Sequence, residues 1–116
     1  MKHLKKGRKF HRKRGQRKAL LKTLAHNLIL KEKIETTEMK ANEIKPFVEK
    51  LLTTAKRQNL SALRILLSRL SKEAGYKLYH QIAQRYKNRR GGYLRIIKTA
   101  KLRKNDGAKM AVIEFV

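Results

Sequence analysis

Apolar side chains recur at helical spacing through most of the chain between residues 16 and 86. In the first run they fall at i, i+3, i+4 and i+7, as one helix face requires: Leu21, Leu24, Ala25 and Leu28. Lys18, Lys22 and His26 repeat at every fourth position on another face. The pattern predicts an amphipathic helix that begins near Gln16 and carries a basic stripe.

Three further helices are predicted from the same spacing. Thr37 can cap the first of them, and Asn59 or Ser61 can cap the second. Gly75 indicates a stop before the third. The apolar faces consist of Ala41, Ile44, Val48, Leu51, Leu52 and Ala55, of Leu63, Leu66, Leu67 and Leu70, and of Leu78, Tyr79, Ile82, Ala83 and Tyr86.

Pro46 lies inside the apolar run of the second predicted helix. A proline at an interior position removes a backbone donor and clashes with the preceding turn. Two interpretations stay open: the helix is kinked at Pro46, or it begins near Lys45.

The last quarter of the chain has the composition of strands. Residues 93–100 and 110–116 are rich in β-branched and aromatic side chains, and Asn105-Asp106-Gly107 between them is typical of a turn. Because two strands alone are marginally stable, we expect residues 34–37 to add a third. The prediction is an α+β fold with about four helices, a small two- to three-stranded sheet and an extended basic N-terminal arm.

Charge is distributed unevenly along the chain. The formal net charge is +24, from 32 Lys and Arg against 8 Asp and Glu. Residues 1–31 contain 12 Lys or Arg, residues 74–105 contain 10, and neither stretch contains an acid. Residues 32–73 resemble an ordinary mixed-charge surface. Because so much positive charge repels itself, we expect a polyanion to be bound.

Residues 1–15 form the predicted arm, ahead of a single domain at residues 16–116. The arm has no apolar periodicity and cannot hold its own shape. It would order when phosphates neutralise it, since the contacts must offset roughly 1–2 kcal/mol of backbone entropy per residue. A solvated tail or a short nuclear-localisation patch is the alternative, but the density of basic residues favours phosphate binding.

The segment 85–95 combines five basic side chains with two tyrosines and a glycine pair. Gly91 and Gly92 can adopt positive φ and let the backbone approach a partner closely, and arginines can bind phosphates bidentately. Tyr rings can stack on unpaired bases. The alternative is that the glycines simply turn the chain from helix to strand, with Tyr86 and Tyr93 in the core.

The sequence contains no motif that predicts catalysis or metal binding. It has no Cys, no phosphate-loop or dinucleotide motif, and no His with the neighbouring acids or spacing that a general base or a metal site needs. No apolar run has the length of a signal peptide or a membrane span. We therefore expect a cytosolic protein without enzymatic activity, cofactor, small-molecule substrate or membrane partner. The four histidines are expected at the surface or facing RNA: His3, His11, His26 and His80.

RNA is the preferred polyanion, because the basic residues are irregularly spaced and a long arm can thread between folded RNA segments. A nucleoid or histone-like DNA-binding protein is the main alternative, since the stripe with Lys18 and Lys22 could lie in a major groove. A membrane-active cationic protein ranks lower because the apolar helix faces are needed for the core. An RNA-processing enzyme ranks last, because both basic stretches lack acids.

A set of short motifs runs in order through nearly the whole chain. They are His3-x-Lys5-x-Gly7-Arg8-x-x-x-Arg12, Arg17-x-Ala19, Thr36-Thr37, Arg85, Arg89-x-Gly91-Gly92-Tyr93-x-Arg95-Ile96 and Ala108-x-Met110-Ala111-x-Ile113-Glu114. Together they resemble the L-seventeen family of bacterial large-subunit ribosomal proteins. The resemblance implies an α+β domain with an extended N-terminal arm. It also implies a structural protein bound to large-subunit ribosomal RNA, on the solvent side near the exit of the peptide tunnel, beside other large-subunit proteins.

The predicted RNA-binding residues lie in the arm, the first helix and the segment 85–95. The resemblance implies contacts at Lys2, His3, Lys5, Gly7, Arg8, Arg12, Arg17, Arg89, Gly91, Gly92, Tyr93 and Arg95. Charge and position add Lys6, Lys9, Lys13, Arg14, Lys18 and Arg90. The chain departs from the family pattern at residues 14–16 and in lacking a proline directly after the Thr pair.

Overall fold

A computed structural model describes residue 8 and residues 10–116. In chain order the elements are α1 (Arg14–Lys31), β1 (Lys33–Thr37), α2 (Glu38–Ala55), α3 (Leu60–Arg69), α4 (Lys72–Lys77), a π-helical segment (Leu78–Ile82), α5 (Ala83–Arg85), β2 (Leu94–Leu102) and β3 (Lys109–Phe115). The last three helical pieces run on as one helix, so four helices and a three-stranded sheet make up the described chain. The α+β prediction is confirmed, whereas most of the predicted arm, residues 1–7 and 9, lies outside the described residues.

Side-chain caps set the beginnings of three helices. The Thr37 hydroxyl accepts the backbone N–H of Lys40 at 3.4 Å and starts α2, as predicted. Asn59, and not Ser61, caps α3, through a bond of 2.8 Å from the N–H of Ala62. Each cap satisfies one donor that the helix itself leaves unpaired.

The first helix begins at Arg14, two residues before the predicted start. The Gln16 side chain accepts the backbone N–H of Lys13 at 3.2 Å, which favours this earlier start. The helix ends at Lys31 and is capped by Glu32, whose φ of 64° is left-handed and whose N–H donates to the carbonyl of Leu28 at 2.6 Å. This reversal turns the chain directly into β1.

Pro46 lies in the interior of α2, which begins at Glu38. The interpretation that the helix begins near Lys45 is therefore wrong, and the helix runs through the proline. Pro46 is exposed. The backbone bond that it cannot donate is thus missing on the side of the helix that faces water.

Gly75 does not stop a helix, and this prediction is wrong. Ser71 caps α4, so the helix begins before the glycine and continues past it. Gly75 is buried, and a Cβ atom built on it would lie 3.0 Å from Cδ2 of Leu67 and 3.6 Å from the carbonyl oxygen of Leu66. The glycine is present because α3 and α4 pack closely at this point.

The sheet has the strand order β1-β3-β2 with both pairs antiparallel. Ile34, Ile113 and Ile96 lie opposite one another across the three strands and point toward the core. Lys33, Glu114 and Arg95 form the neighbouring cross-strand row. Residues 34–37 thus add a third strand, β1, to the sheet, as predicted. The strand that comes last in sequence, β3, is the central one.

The hydrophobic core lies between the sheet and the helices. α2 is at its centre, because it contacts all three strands and also packs against α1 and α3. Its buried face is the one predicted from the spacing, from Ala41 to Ala55. No polar or charged side chain is buried among the described residues. No helix of the described chain is long and apolar enough to cross a bilayer.

We predict that Gly75→Leu destabilises the protein by about 1–3 kcal/mol, because the new side chain would have to displace Leu67 and approach the backbone of α3. Gly15→Leu is the matched control: Gly15 is also helical, but a Cβ there meets nothing within 4 Å. Urea unfolding of both variants measures the difference. Equal stability of the two variants would refute the close packing of α3 and α4.

Candidate nucleic-acid interface

Most of the described carboxylates are paired with cations. The ion pairs are Arg8–Glu43 at 3.1 Å, Lys98–Glu38 and Lys101–Glu35 at 3.5 Å, Arg95–Glu114 at 2.8 Å, Lys33–Glu114 at 3.8 Å, Lys77–Glu32 at 3.7 Å, Arg85–Glu32 and Arg103–Asp106. Many other cations have no carboxylate partner within the described residues, and two groups of them contain predicted RNA contacts. One lies at the start of α1, and the other lies in the turn 86–93, which joins α5 to β2.

The tyrosines at the two ends of the turn are core residues. Tyr93 is 1% exposed and Tyr86 is 6% exposed, and their ring centroids are 5.5 Å apart. The Tyr86 hydroxyl donates to the carbonyl of Val116 at 2.5 Å, and burial raises the pKa of that hydroxyl. Of the two interpretations, the core placement is correct, so neither ring is available to stack on a base. The predicted RNA-stacking role of the Tyr93 ring is wrong.

Only one of the two glycines has a conformation that requires glycine. Gly92 has a φ of +64°, whereas Gly91 is not in the left-handed region. A Cβ on Gly91 would meet nothing within 4 Å, and both glycines are exposed. Gly92 therefore makes the turn, and the absence of side chains leaves the backbone open to a partner.

The basic side chains of the turn are exposed. Lys87, Arg89 and Arg90 project into solvent, and Arg89 is held only by a bond of 3.1 Å from its Nε to the carbonyl of Gly91. Arg95, in contrast, donates to Glu114 at 2.8 Å. The turn thus presents a group of cations, while Arg95 at its edge is already paired with a carboxylate.

Lys56 supports the turn from the core side, a role that no pattern in the sequence indicates. Its ammonium donates to the Tyr93 hydroxyl at 2.8 Å and to the carbonyl of Arg89, and it lies 4.9 Å from the centroid of the Tyr93 ring. The Tyr93 hydroxyl also donates to the Arg89 carbonyl at 3.2 Å. The backbone that carries Arg89 is therefore held by Lys56, the C-cap of α2, and by Tyr93, which directly precedes β2.

Glu32 is a second supporting residue that sequence analysis did not single out. It binds Arg85 and Lys77, and so joins the end of α1 to the helix that leads into the turn. The hydrogen bond from Arg85 lowers the pKa of Glu32, and the charges of Arg85 and Lys77 lower it further. The same pairing raises the pKa of Arg85. Both groups are ionised at neutral pH and hold the two helix ends together.

The described part of the arm folds back against the domain. Phe10 and His11 both have left-handed φ values, 51° and 53°. Arg12 donates to the carbonyl of Phe10 at 3.0 Å, and Arg17 donates to the carbonyl of Arg12 at 2.6 Å. These bonds orient the guanidiniums at the start of α1.

The predicted arm residues fall into two groups. Arg8, Arg12, Lys13 and Arg14 are described and lie at or before the start of α1, and Arg17 and Lys18 lie within α1, as predicted. Lys2, His3, Lys5, Lys6, Gly7 and Lys9 lie outside the described residues. The structure therefore brings together the inner half of the predicted arm interface.

Sequence comparisons identify relatives over the whole chain. Residues 20–116 match the family described as Ribosomal protein L17. The chain belongs to this family. It is 49% identical to the large ribosomal subunit protein bL17 of Persephonella marina, over 100% of this chain and 95% of that protein. It is 45% identical to the bL17 protein of Hydrogenobaculum sp., over 100% of this chain and 99% of that protein.

Family membership confirms the resemblance found in the sequence. The chain is a structural ribosomal protein and not an enzyme, and a component of the ribosome in the cytoplasm. Two of the described histidines, His26 and His80, contact other side chains of the chain. The ring of His26 is hydrogen-bonded to the hydroxyl of Ser71, and His80 stacks on Tyr76 with centroids 5.9 Å apart. No three His, Asp or Glu of the described chain are grouped as metal ligands.

We predict that Glu32→Gln lowers the free energy of unfolding by about 0.5–1 kcal/mol at about pH 7, because it removes the charge that Arg85 and Lys77 share. The folded pKa of Glu32 is depressed, so its stabilisation is present above its unfolded pKa and is lost as the pH falls through the folded value. Urea unfolding at about pH 7 and about pH 2.5 tests this. A difference between variant and wild type that persists undiminished at the lower pH would contradict an ionic role.

Proposed function

We propose that this chain is a structural constituent of the large ribosomal subunit that binds and stabilises large-subunit ribosomal RNA. The observation that carries the proposal is the separation of paired from unpaired cations. Carboxylates neutralise the cations that join elements, while the start of α1 and the turn 86–93 keep theirs without a carboxylate partner in the described chain. Unpaired cations on a body of net charge +24 favour a polyanion.

The two surfaces suit folded RNA. Arginines bind phosphate oxygens bidentately, and the exposed backbone at Gly91 and Gly92 permits close approach. Each neutralised phosphate releases counterions, so affinity falls steeply as salt rises. The proposed contacts are those of the arm and α1, namely Lys2, His3, Lys5, Lys6, Gly7, Arg8, Lys9, Arg12, Lys13, Arg14, Arg17 and Lys18, and those of the turn, Arg89, Arg90, Gly91, Gly92 and Arg95, with Tyr93 as a buried support.

The place of the protein in the subunit follows from the family resemblance. We propose a position on the solvent side near the exit of the peptide tunnel, beside other large-subunit proteins. Residues 1–15 act there as an RNA-binding arm and residues 16–116 as the folded domain. In support of this division, all buried core residues of the described chain follow residue 24.

We predict that a protein lacking residues 1–13 still folds but does not join the large subunit stably. Its core is complete, whereas it loses most of the cations at the start of the chain. Occupancy in large subunits purified on sucrose gradients, measured by mass spectrometry, should fall at least about tenfold at physiological salt. Circular dichroism melting of the truncated protein checks the fold. Full occupancy, or association with DNA instead of the subunit, would overturn the proposal.

We predict that Arg89→Gln/Arg90→Gln weakens binding to isolated large-subunit ribosomal RNA and lowers the slope of log K against log salt by about 1–2. The control Lys101→Gln/Arg103→Gln removes the same charge from cations that Glu35 and Asp106 already pair. Filter binding at several salt concentrations measures both. An equal loss in the two variants would show that net charge, and not the turn, determines affinity.

A further inference from the structure

A groove outside the turn is formed where three helices meet. It is lined by Lys18, Leu21 and Lys22 of α1, Phe47 of α2, and Ser68 and Arg69 of α3. Its floor is apolar, because Leu21 and Phe47 are partly buried against the core. Its walls are basic on both sides, from α1 and from the last residue of α3.

The charge of the groove is not compensated within the described chain. None of its lining residues is a carboxylate, and Lys18, Lys22 and Arg69 form no side-chain ion pair or hydrogen bond there. At the contacts between elements, in contrast, carboxylates pair with cations, as Glu32 does with Arg85 and Lys77. Three cations that converge without one repel each other, and an anion in the groove would remove this repulsion.

The groove continues the surface of the arm. Arg14, Lys18 and Lys22 follow one another at every fourth position of α1, so they lie about 6 Å apart along one helix face. A polyanion bound at the start of α1 therefore meets the groove within two helical turns. An extended chain with repeated negative charges fits this row better than a single small ion does.

We propose that the groove binds a stretch of RNA sugar–phosphate backbone, with Lys18, Lys22 and Arg69 on the phosphates and the riboses against Leu21 and Phe47. The inference rests on the proposed function and extends it to Lys22 and Arg69, which belong neither to the arm nor to the turn. Phosphates carry the negative charge that would neutralise the basic walls. Riboses have apolar faces that can pack against the apolar floor.

The test compares two variants that lose the same charge from the same two helices. Lys22→Gln/Arg69→Gln removes cations from the groove. The control is Lys31→Gln/Arg64→Gln. On α1, Lys31 lies about 180° around the helix axis from Lys22, and on α3, Arg64 lies about 140° around the axis from Arg69. Lys31 and Arg64 are exposed and do not line the groove. Binding of full-length proteins to isolated large-subunit ribosomal RNA is measured over a range of salt concentrations.

The groove variant should bind about tenfold more weakly than the wild type at physiological salt and lose about 1.5–2 from the salt slope, while the control changes by less than about threefold. If the wild type binds and the two variants lose equal affinity, the groove inference fails and the proposed function stands. If the wild type does not bind this RNA, both fail.

A second measurement uses the wild-type protein and does not depend on the folding of a variant. Acetic anhydride modification, read by mass spectrometry, reports which lysines the RNA covers. Lys22 should be protected at least about fivefold in the complex and Lys31 should not, since only the first faces a bound phosphate. Equal modification of Lys22 with and without RNA, or stronger protection by polyglutamate than by RNA at equal charge, would overturn the inference.

Discussion

Repulsion among basic side chains constrains the fold, because the chain has 32 Lys and Arg and only 8 Asp and Glu to neutralise them. At this ratio a compact body repels itself, so the position of each acid determines which parts of the surface can approach one another. Three of the acids lie where elements meet: Glu43 binds Arg8 of the arm, Glu38 binds Lys98 of β2, and Glu32 binds Arg85 near the turn. Exposed ion pairs are individually weak. Their effect is to relieve repulsion at these junctions while apolar burial supplies the stability.

Because acids are few, the cations fall into two classes: those with a structural partner in the protein and those available for binding. Lys77 and Lys56 point inward to a carboxylate or to carbonyl and hydroxyl oxygens, and they fix the helix and the turn that they touch. Cations on the turn and at the start of α1 have no carboxylate partner in the described chain. They remain available to phosphates, and the rigid backbone behind them lowers the entropy lost on binding.

Sequence periodicity predicted the helices and strands well, because the spacing of apolar residues directly reflects which face is buried. It failed for Gly75, whose role depends on a neighbouring helix and not on its own. It could not decide between core and surface for Tyr93, since an aromatic residue beside a glycine suits both. The support from Lys56 was out of reach because the partners are 33 and 37 residues apart. Charge clusters located the candidate surfaces but could not show which cations were already paired.

Within the described residues, the central strand β3 follows all other helices and strands, and β1 and β2 each pair with it and not with each other. During synthesis, β1 and β2 therefore stay unpaired until residues 109–115 have left the ribosome, because their pairing partner is β3. Because its sheet contacts span most of the sequence, the domain completes folding late. The basic residues of α1 are synthesised well before β3, so RNA can meet them before the sheet is complete.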